Sequence, residues 1–303
     1  MTDMSVKLCG VKLKNPVIAA SGTYGYGLEY SEFYPLSRLG GISCKGTTLH
    51  KREGNPPPRI AETPSGIINS VGLQNPGVDE FLNVYLKKLK IQDIVVIANI
   101  AGNTVEEYCA MAERLQESQV DIIELNISCP NVKLGGVNFG TSCDSVAQVT
   151  TEVKNRTKKP VMVKLTPNVT SIGDIAAAAA DAGADALSLI NTLTGMRIDI
   201  RTRRPILRNN TGGLSGPAVF PIAVRMVSEV AKRVSIPIVG IGGIASWEDA
   251  AEMMIAGANA IQVGTANFHD PFACVKIIDG LKNFADSLGL KSITELTGTL
   301  KEW

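Results

Sequence analysis

Eight short, continuous apolar runs recur along the chain, each followed by a longer stretch with helical character. They fall at Pro16–Ala20, Gly41–Lys45, Ile94–Ile100, Asp121–Asn126, Val161–Leu165, Ala186–Ile190, Ile236–Ile241 and Ala260–Val263. None alternates apolar with polar residues, as a strand wetted on one face would. Unalternating runs of this length belong to parallel strands covered on both faces. Parallel neighbours need crossover connections, so helices must lie between them. The helix signals are present. Thr104-Val105-Glu106-Glu107 reads as a capping box, and Val105, Tyr108, Ala112 and Leu115 then share one face. Ser246-Trp247-Glu248-Asp249 opens a second helix in the same way, and Pro217 occupies a first helical position.

The units repeat weakly. Ala182-Gly183-Ala184-Asp185-Ala186-Leu187 matches Ala256-Gly257-Ala258-Asn259-Ala260-Ile261, and Pro160-Val161-Met162-Val163 matches Pro237-Ile238-Val239-Gly240. A βα unit repeated about eight times predicts an α/β fold of the (β/α)8 TIM-barrel type. An open doubly wound sheet is the alternative, but no Gly-x-Gly-x-x-Gly follows the first strand. Two connections, 47–77 and 191–216, are too long to be simple turns and are expected as insertion loops at the C-terminal face of the barrel. With no linker in evidence, the reading is one domain over 1–303.

Composition narrows the function. The 30 basic and 29 acidic residues nearly cancel, which argues against a nucleic-acid partner. The run Arg201-Thr202-Arg203-Arg204 reads as a solvated loop. No apolar run is long enough to span a bilayer, and Met1-Thr2-Asp3-Met4 lacks the pattern of a signal peptide. Six scattered cysteines with no Cys-x-x-Cys offer neither a zinc nor an iron–sulfur site and fit reduced thiols in a cytoplasmic protein. With only His50 and His269, a histidine-based mechanism or metal cluster has little material, so no metal is expected.

Active sites of such barrels gather at the C-terminal ends of the strands. Those ends carry Ser21, Lys45-Gly46, Asn99, Asn126, Lys164, Asn191-Thr192, Gly242-Gly243 and Gly264-Thr265. Amides, lysines and glycines, with hardly a carboxylate, suit a flat, polar, anionic ligand. Gly240-Ile241-Gly242-Gly243-Ile244 and Gly264-Thr265-Ala266 occupy the two loops that commonly cradle phosphate, with Ser246 as the cap of the next helix. Tight-turn glycines without a ligand are the plain alternative. Lys164 and Lys45 read either as ligand-facing cations or as a structural ion pair and a surface lysine. Cys129, just beyond the fourth run in Asn126-Ile127-Ser128-Cys129-Pro130-Asn131, reads as a base or nucleophile, or as a buried thiol.

Three segments, 66–77 (Gly66 to Gly77 through Asn69-Ser70-Val71-Gly72-Leu73), Asn126-Ile127-Ser128-Cys129-Pro130-Asn131 and Gly240-Ile241-Gly242-Gly243-Ile244, resemble the dihydroorotate dehydrogenases in order and spacing. The resemblance runs from Leu8 to about Gly289 and is greatest to the catalytic subunit of the NAD-linked class. It implies a noncovalent FMN, with phosphate on Gly242, Gly243, Gly264 and Thr265 near Gly216, and with Ser21, Lys45, Gly46, Asn99, Asn126, Lys164 and Ile190 lining ring and ribityl chain. It implies dihydroorotate held by Lys45 at its carboxylate and by Asn69, Asn126, Asn131, Asn191 and Thr192 at its ring amides, beside a wall of Ser70, Val71, Gly72 and Leu73. Cys129 would then be the catalytic base. The membrane-bound class has serine there. The resemblance further implies a partner subunit carrying FAD and an iron–sulfur cluster, and a homodimer core within a heterotetramer. Asparagine donates and accepts at once, so several amides match a ring of alternating N–H and C=O groups. The alternatives are a fumarate-dependent homodimeric sister class, a dihydropyrimidine dehydrogenase module, a flavin-free phosphate-binding barrel, and a non-enzymatic scaffold.

Overall fold

The computed structural model describes residues 1–127 and 139–303. All eight predicted runs form strands: β1 (Val17–Ala19), β2 (Gly41–Ser43), β3 (Val96–Ile100), β4 (Ile122–Asn126), β5 (Val161–Lys164), β6 (Ala186–Leu189), β7 (Ile238–Ile241) and β8 (Ala260–Val263). Each pairs in parallel with the next, and β8 returns to β1 through Ile261 opposite Val17, so the sheet closes as a barrel. The open-sheet alternative is thereby excluded. The strands are buried almost throughout, which explains their lack of alternation. Helices cover the outside. Val105–Gln116 turns Tyr108, Met111, Ala112 and Leu115 inward, and truncating Leu115 to alanine would cost about 2–5 kcal/mol. Thr104 caps that helix, but Glu107 reaches back to the N–H of Asn103 at 2.6 Å rather than to that of Thr104, so the predicted capping box is only half formed.

The sequence repeat has a structural purpose at the N-terminal face. Asp121, Asp185 and Asn259 each precede an even-numbered strand and accept from the first N–H of the strand before it. Asp121 takes Val96 N–H at 2.7 Å, Asp185 takes Val161 N–H at 2.7 Å, and Asn259 takes Ile238 N–H at 2.8 Å. Lys90 and Lys154, at helix ends, neutralise the two aspartates. An N-terminal hairpin, Val6–Leu8 with Val11–Leu13, turns through Cys9 and Gly10, both at positive φ. It lies at the same end, where burial and then the Asp185 charge push the Cys9 thiol up to about 12.

The two long connections are not loose loops. Ile60–Thr63 and Gly66–Asn69 from the first, and Leu193–Gly195 and Gly212–Ser215 from the second, form one four-stranded antiparallel sheet. Gly213 opposite Asn69 joins the insertions to each other. The short, glycine-rich strands hid this sheet from a periodicity reading. The Arg201–Arg204 run is exposed, as expected. Among the described residues, no helix is long and apolar enough to cross a membrane, and no group of three or more His, Cys, Asp or Glu could hold a metal.

Candidate active site

At the C-terminal ends of the strands, Lys45, Gly46, Asn99, Asn126, Lys164 and Asn191 converge. A side chain on Gly46 would come within 2.9 Å of the Asn99 Oδ1, 3.2 Å of Leu73 and 3.9 Å of the Asn126 Nδ2. Only glycine lets β2 pass this close to both amides. Asn191 donates from Nδ2 to the Asn126 Oδ1 at 3.2 Å and accepts at its own Oδ1 from the Thr192 N–H at 2.8 Å. The Asn126 carbonyl is fixed from behind by the Tyr108 hydroxyl at 2.7 Å. Thus β4 and β6 present their asparagines as one unit. Burial, and then the charge of Arg59, hold Lys45 below the ordinary lysine range.

Below this rim lies a feature that sequence reading missed. Glu124 on β4 is fully buried in the barrel lumen. Its Oε1 accepts from Ser188 Oγ at 2.8 Å and Gln262 Nε2 at 2.9 Å, and its Oε2 from Ser43 Oγ at 2.6 Å and Asn99 Nδ2 at 2.7 Å. Ser43, Glu124, Ser188 and Gln262 come from β2, β4, β6 and β8, the alternate strands that build one lumen layer. Such layers are ordinarily filled by Val, Ile and Leu. Burial pushes the Glu124 carboxyl up, but the Lys164 charge and the hydrogen bonds from Ser43, Asn99 and Ser188 outweigh it and hold the group below its usual range. Lys164 itself is only 6% exposed. Among the described residues its ammonium has no hydrogen-bond partner and feels Glu124 only through space. The available signal was a lone polar residue inside each apolar run, which a buried strand tolerates only when partnered.

The glycine loops form the other end of the site. Gly216, Gly242 and Gly243 have φ of 105°, 127° and 76°, a region that favours glycine. A Cβ on Gly243 would lie 2.8 Å from the Phe220 backbone nitrogen, and one on Gly242 would lie 3.1 Å from Ile190. A cavity of about 610 Å³ opens here, between Gly66, Gly216, Gly243, Ser246 and Thr265. Thr265 donates to Ser215 Oγ at 2.9 Å, tying β8 to the insertion sheet. Ser246 caps the helix Trp247–Ile255 as expected. The Asp249 carboxylate, however, already takes the N–H groups of Ala245 and Ser246 at 2.8 and 2.9 Å. That helix start therefore offers an anion less than the sequence suggested, and the glycine backbones offer more.

The wall over the mouth is held by residues the sequence did not flag. Asn75 is buried; it donates to Thr48 Oγ1 and the Leu73 carbonyl and accepts from the N–H groups of Thr48 and Gly77. Asn55 pins the Ser70 and Val71 carbonyls, and Gly72 packs too close to Asn55 for any side chain. Asn69 donates to the Gly213 carbonyl at 3.4 Å, and Asn168 holds the Thr192 carbonyl and the Thr194 N–H at 3.0 Å each. Ser21 follows β1 at the same end, between Ala20 and Thr23, the residues that Gly264 faces. Cys129 and Asn131 lie outside the described residues. Cys44 and Cys274 are fully buried and Cys109 nearly so, and burial raises all three thiols.

The residues present offer a place for a flat, polar cofactor that carries a phosphate. The Asn99 Oδ1 and Gln262 Oε1 are buried without partners. A buried ammonium shares Glu124 with both of these amides, and a glycine cradle too tight for side chains lies at the far end. A ligand with ring N–H groups, an electron-rich edge and a phosphate answers all three.

Comparison with known proteins identifies the family. The family described as dihydroorotate dehydrogenase matches residues 3–285. The chain is 53% identical over 302 residues to the protein named dihydroorotate dehydrogenase B (NAD(+)), catalytic subunit, of Bacteroides thetaiotaomicron, covering 99% of this chain and 100% of that one. Proteins of the same name are similar in Alkaliphilus oremlandii, at 53% over 298 residues (98% and 99% covered), and in Anoxybacillus flavithermus, at 54% over 299 residues (98% and 96%).

Proposed function

The chain belongs to the dihydroorotate dehydrogenase family, and on that premise we propose that it is the FMN-holding catalytic subunit of an NAD-linked enzyme that oxidises dihydroorotate to orotate in pyrimidine biosynthesis. The observation that carries the reading is the pair formed by the Asn99 Oδ1 and the Lys164 ammonium, an unpartnered acceptor and a buried cation facing one mouth. FMN bound there would supply the hydride acceptor. Gly242, Gly243, Gly264 and Thr265, with Gly216, would hold its phosphate. Ser21, Lys45, Gly46, Asn99, Asn126, Lys164 and Ile190 would line the rest.

The chain's own groups divide the work on the substrate. The Lys45 ammonium pairs with the carboxylate, and desolvation makes that pairing stronger than it would be in water. Asn126 and Asn191, already joined, meet the ring amides, with Asn69, Asn131 and Thr192 completing the set. A ring lacking those groups would leave buried amides unpaired, so the site discriminates by more than shape. The wall of Ser70, Val71, Gly72 and Leu73 excludes water above the ring. Cys129 takes the proton from C5 as the hydride, carrying two electrons and a second proton, leaves C6, and the C5–C6 double bond forms.

The described residues include no cysteine cluster and no dinucleotide-binding fingerprint, so passage of electrons to NAD calls for a partner subunit bearing FAD and an iron–sulfur cluster. The proposed assembly is a homodimer core within a heterotetramer, in the cytoplasm. The test is an absorbance spectrum of the purified chain under anaerobic conditions. Flavin bands that bleach on adding dihydroorotate are expected; a colourless protein, or a yellow one indifferent to dihydroorotate, refutes the reading.

A further inference from the structure

The geometry points to Glu124 as a positioning residue for the flavin: a buried carboxylate beneath the ring that fixes the Asn99 amide and serves as the counter-charge of Lys164. This rests on the FMN reading above and assigns a role to a residue that reading does not use.

Four strands each give up a core position to place a donor or the carboxylate itself in one lumen layer. A layer of branched apolar residues would fill the same space without desolvating a charge, so a buried ionic group is weak evidence for stability. The arrangement asks for another use.

Each Glu124 oxygen receives two hydrogen bonds, and an ionised carboxylate can only accept. Asn99 must therefore turn its Nδ2 inward, and its Oδ1 is left buried, unpartnered and close to Gly46 at the mouth. Reversing that amide would set oxygen against oxygen. Glu124 thus decides that the ring meets an acceptor at Asn99 and not a donor.

Lys164 would be a buried cation without a counter-charge if Glu124 were neutral. With both ionised, the lumen is balanced before the flavin is reduced. Reduction adds negative charge to the ring, which Lys164 favours and Glu124 opposes. Glu124 therefore holds the flavin potential down.

The experiment compares the wild-type holoenzyme with Glu124→Gln and Glu124→Asp. The readouts are the flavin midpoint potential and the affinity of the stripped protein for FMN. The amide introduced by E124Q removes the charge and can donate to Asn99, releasing its fixed orientation. E124Q is expected to shift the potential to a more positive value and to weaken FMN binding about tenfold, the worth of one charge-assisted hydrogen bond. E124D, which keeps the charge, is expected to restore most of the potential. A potential unchanged or more negative in E124Q overturns the inference while leaving the FMN reading intact. A wild-type chain that takes up no FMN overturns the reading itself, and this inference with it. Should E124Q fail to fold, infrared difference spectra of wild-type holoenzyme with isotope-labelled glutamate decide the matter. A carboxylate band that moves on flavin reduction is expected, and a carboxylic-acid band, or no glutamate response, overturns the role.

Discussion

Asn191 donates from its side-chain amide to the Asn126 side-chain oxygen at 3.2 Å, joining the ends of β4 and β6 across the barrel mouth. The same Asn191 takes the Thr192 N–H, so the pair is oriented before any ligand arrives. Preorganisation of this kind lowers the entropy lost on binding. Asn191→Ala is expected to raise KM for dihydroorotate about tenfold, the effect of one lost hydrogen bond to a polar ring. Steady-state kinetics with an artificial acceptor, alongside an orotate titration, would reveal it; an unchanged KM would remove Asn191 from the substrate site.

Cys129→Ser separates binding from proton removal. The variant should retain FMN and bind orotate, yet reduce its flavin at least roughly a hundredfold more slowly at neutral pH, since a serine hydroxyl is a far poorer base. Stopped-flow absorbance after mixing with dihydroorotate measures this directly. In the wild type the rate should climb with pH as the thiolate forms, and a flat profile would point to another base.

The glycine cradle is expected to tolerate no side chain. Gly243→Ala would force a Cβ to within 2.8 Å of the Phe220 nitrogen at a φ of 76°. The strain is worth about 1–3 kcal/mol. It falls on the two loops that meet the phosphate, so the variant should purify with less FMN per chain and a lower melting temperature. Equal flavin content would show that the phosphate lies elsewhere.

Lys45 makes ligand affinity depend on pH. Burial and then Arg59 lower its pKa, so its neutral form is already favoured at a pH where an ordinary lysine stays charged. A bound carboxylate favours the charged form and draws the pKa back up. Orotate affinity should therefore be full below the lowered value and fall as pH rises through it, by up to about tenfold per pH unit for one linked proton. Binding to Lys45→Gln should be weaker near neutrality, and the difference between the two proteins should vanish at high pH. Parallel titrations cancel the ligand's own ionisation, and a difference that persists unchanged to high pH would rule out the lysine–carboxylate pair.

Much of the candidate site was legible in the sequence because glycine, asparagine and lysine at strand ends carry chemistry that needs no partner to be recognised. Asn99, Asn126, Lys164 and Gly243 fall where the strand pattern put them. Glu124, Gln262 and Ser188 were not legible in the same way. Each is one polar residue in an apolar run, and its meaning depends on three others from distant strands. Asn75 and Asn55 escaped for a related reason: both act on backbone groups across the first insertion, a contact with no sequence signature.

The linear chain determined the eight-fold alternation of apolar run and amphipathic helix, and with it the barrel, because burial on both faces is a local property of each strand. It also determined the aspartate and asparagine clamps at the N-terminal face, since each sits at the same place in its repeat. Tertiary structure alone decided that the two insertions share one sheet and that an even-numbered layer of the lumen closes on a single carboxylate. Those arrangements depend on which strands become neighbours across the barrel, and hydrogen bonds between residues such as Glu124 and Gln262, 138 positions apart, exist only once it has closed.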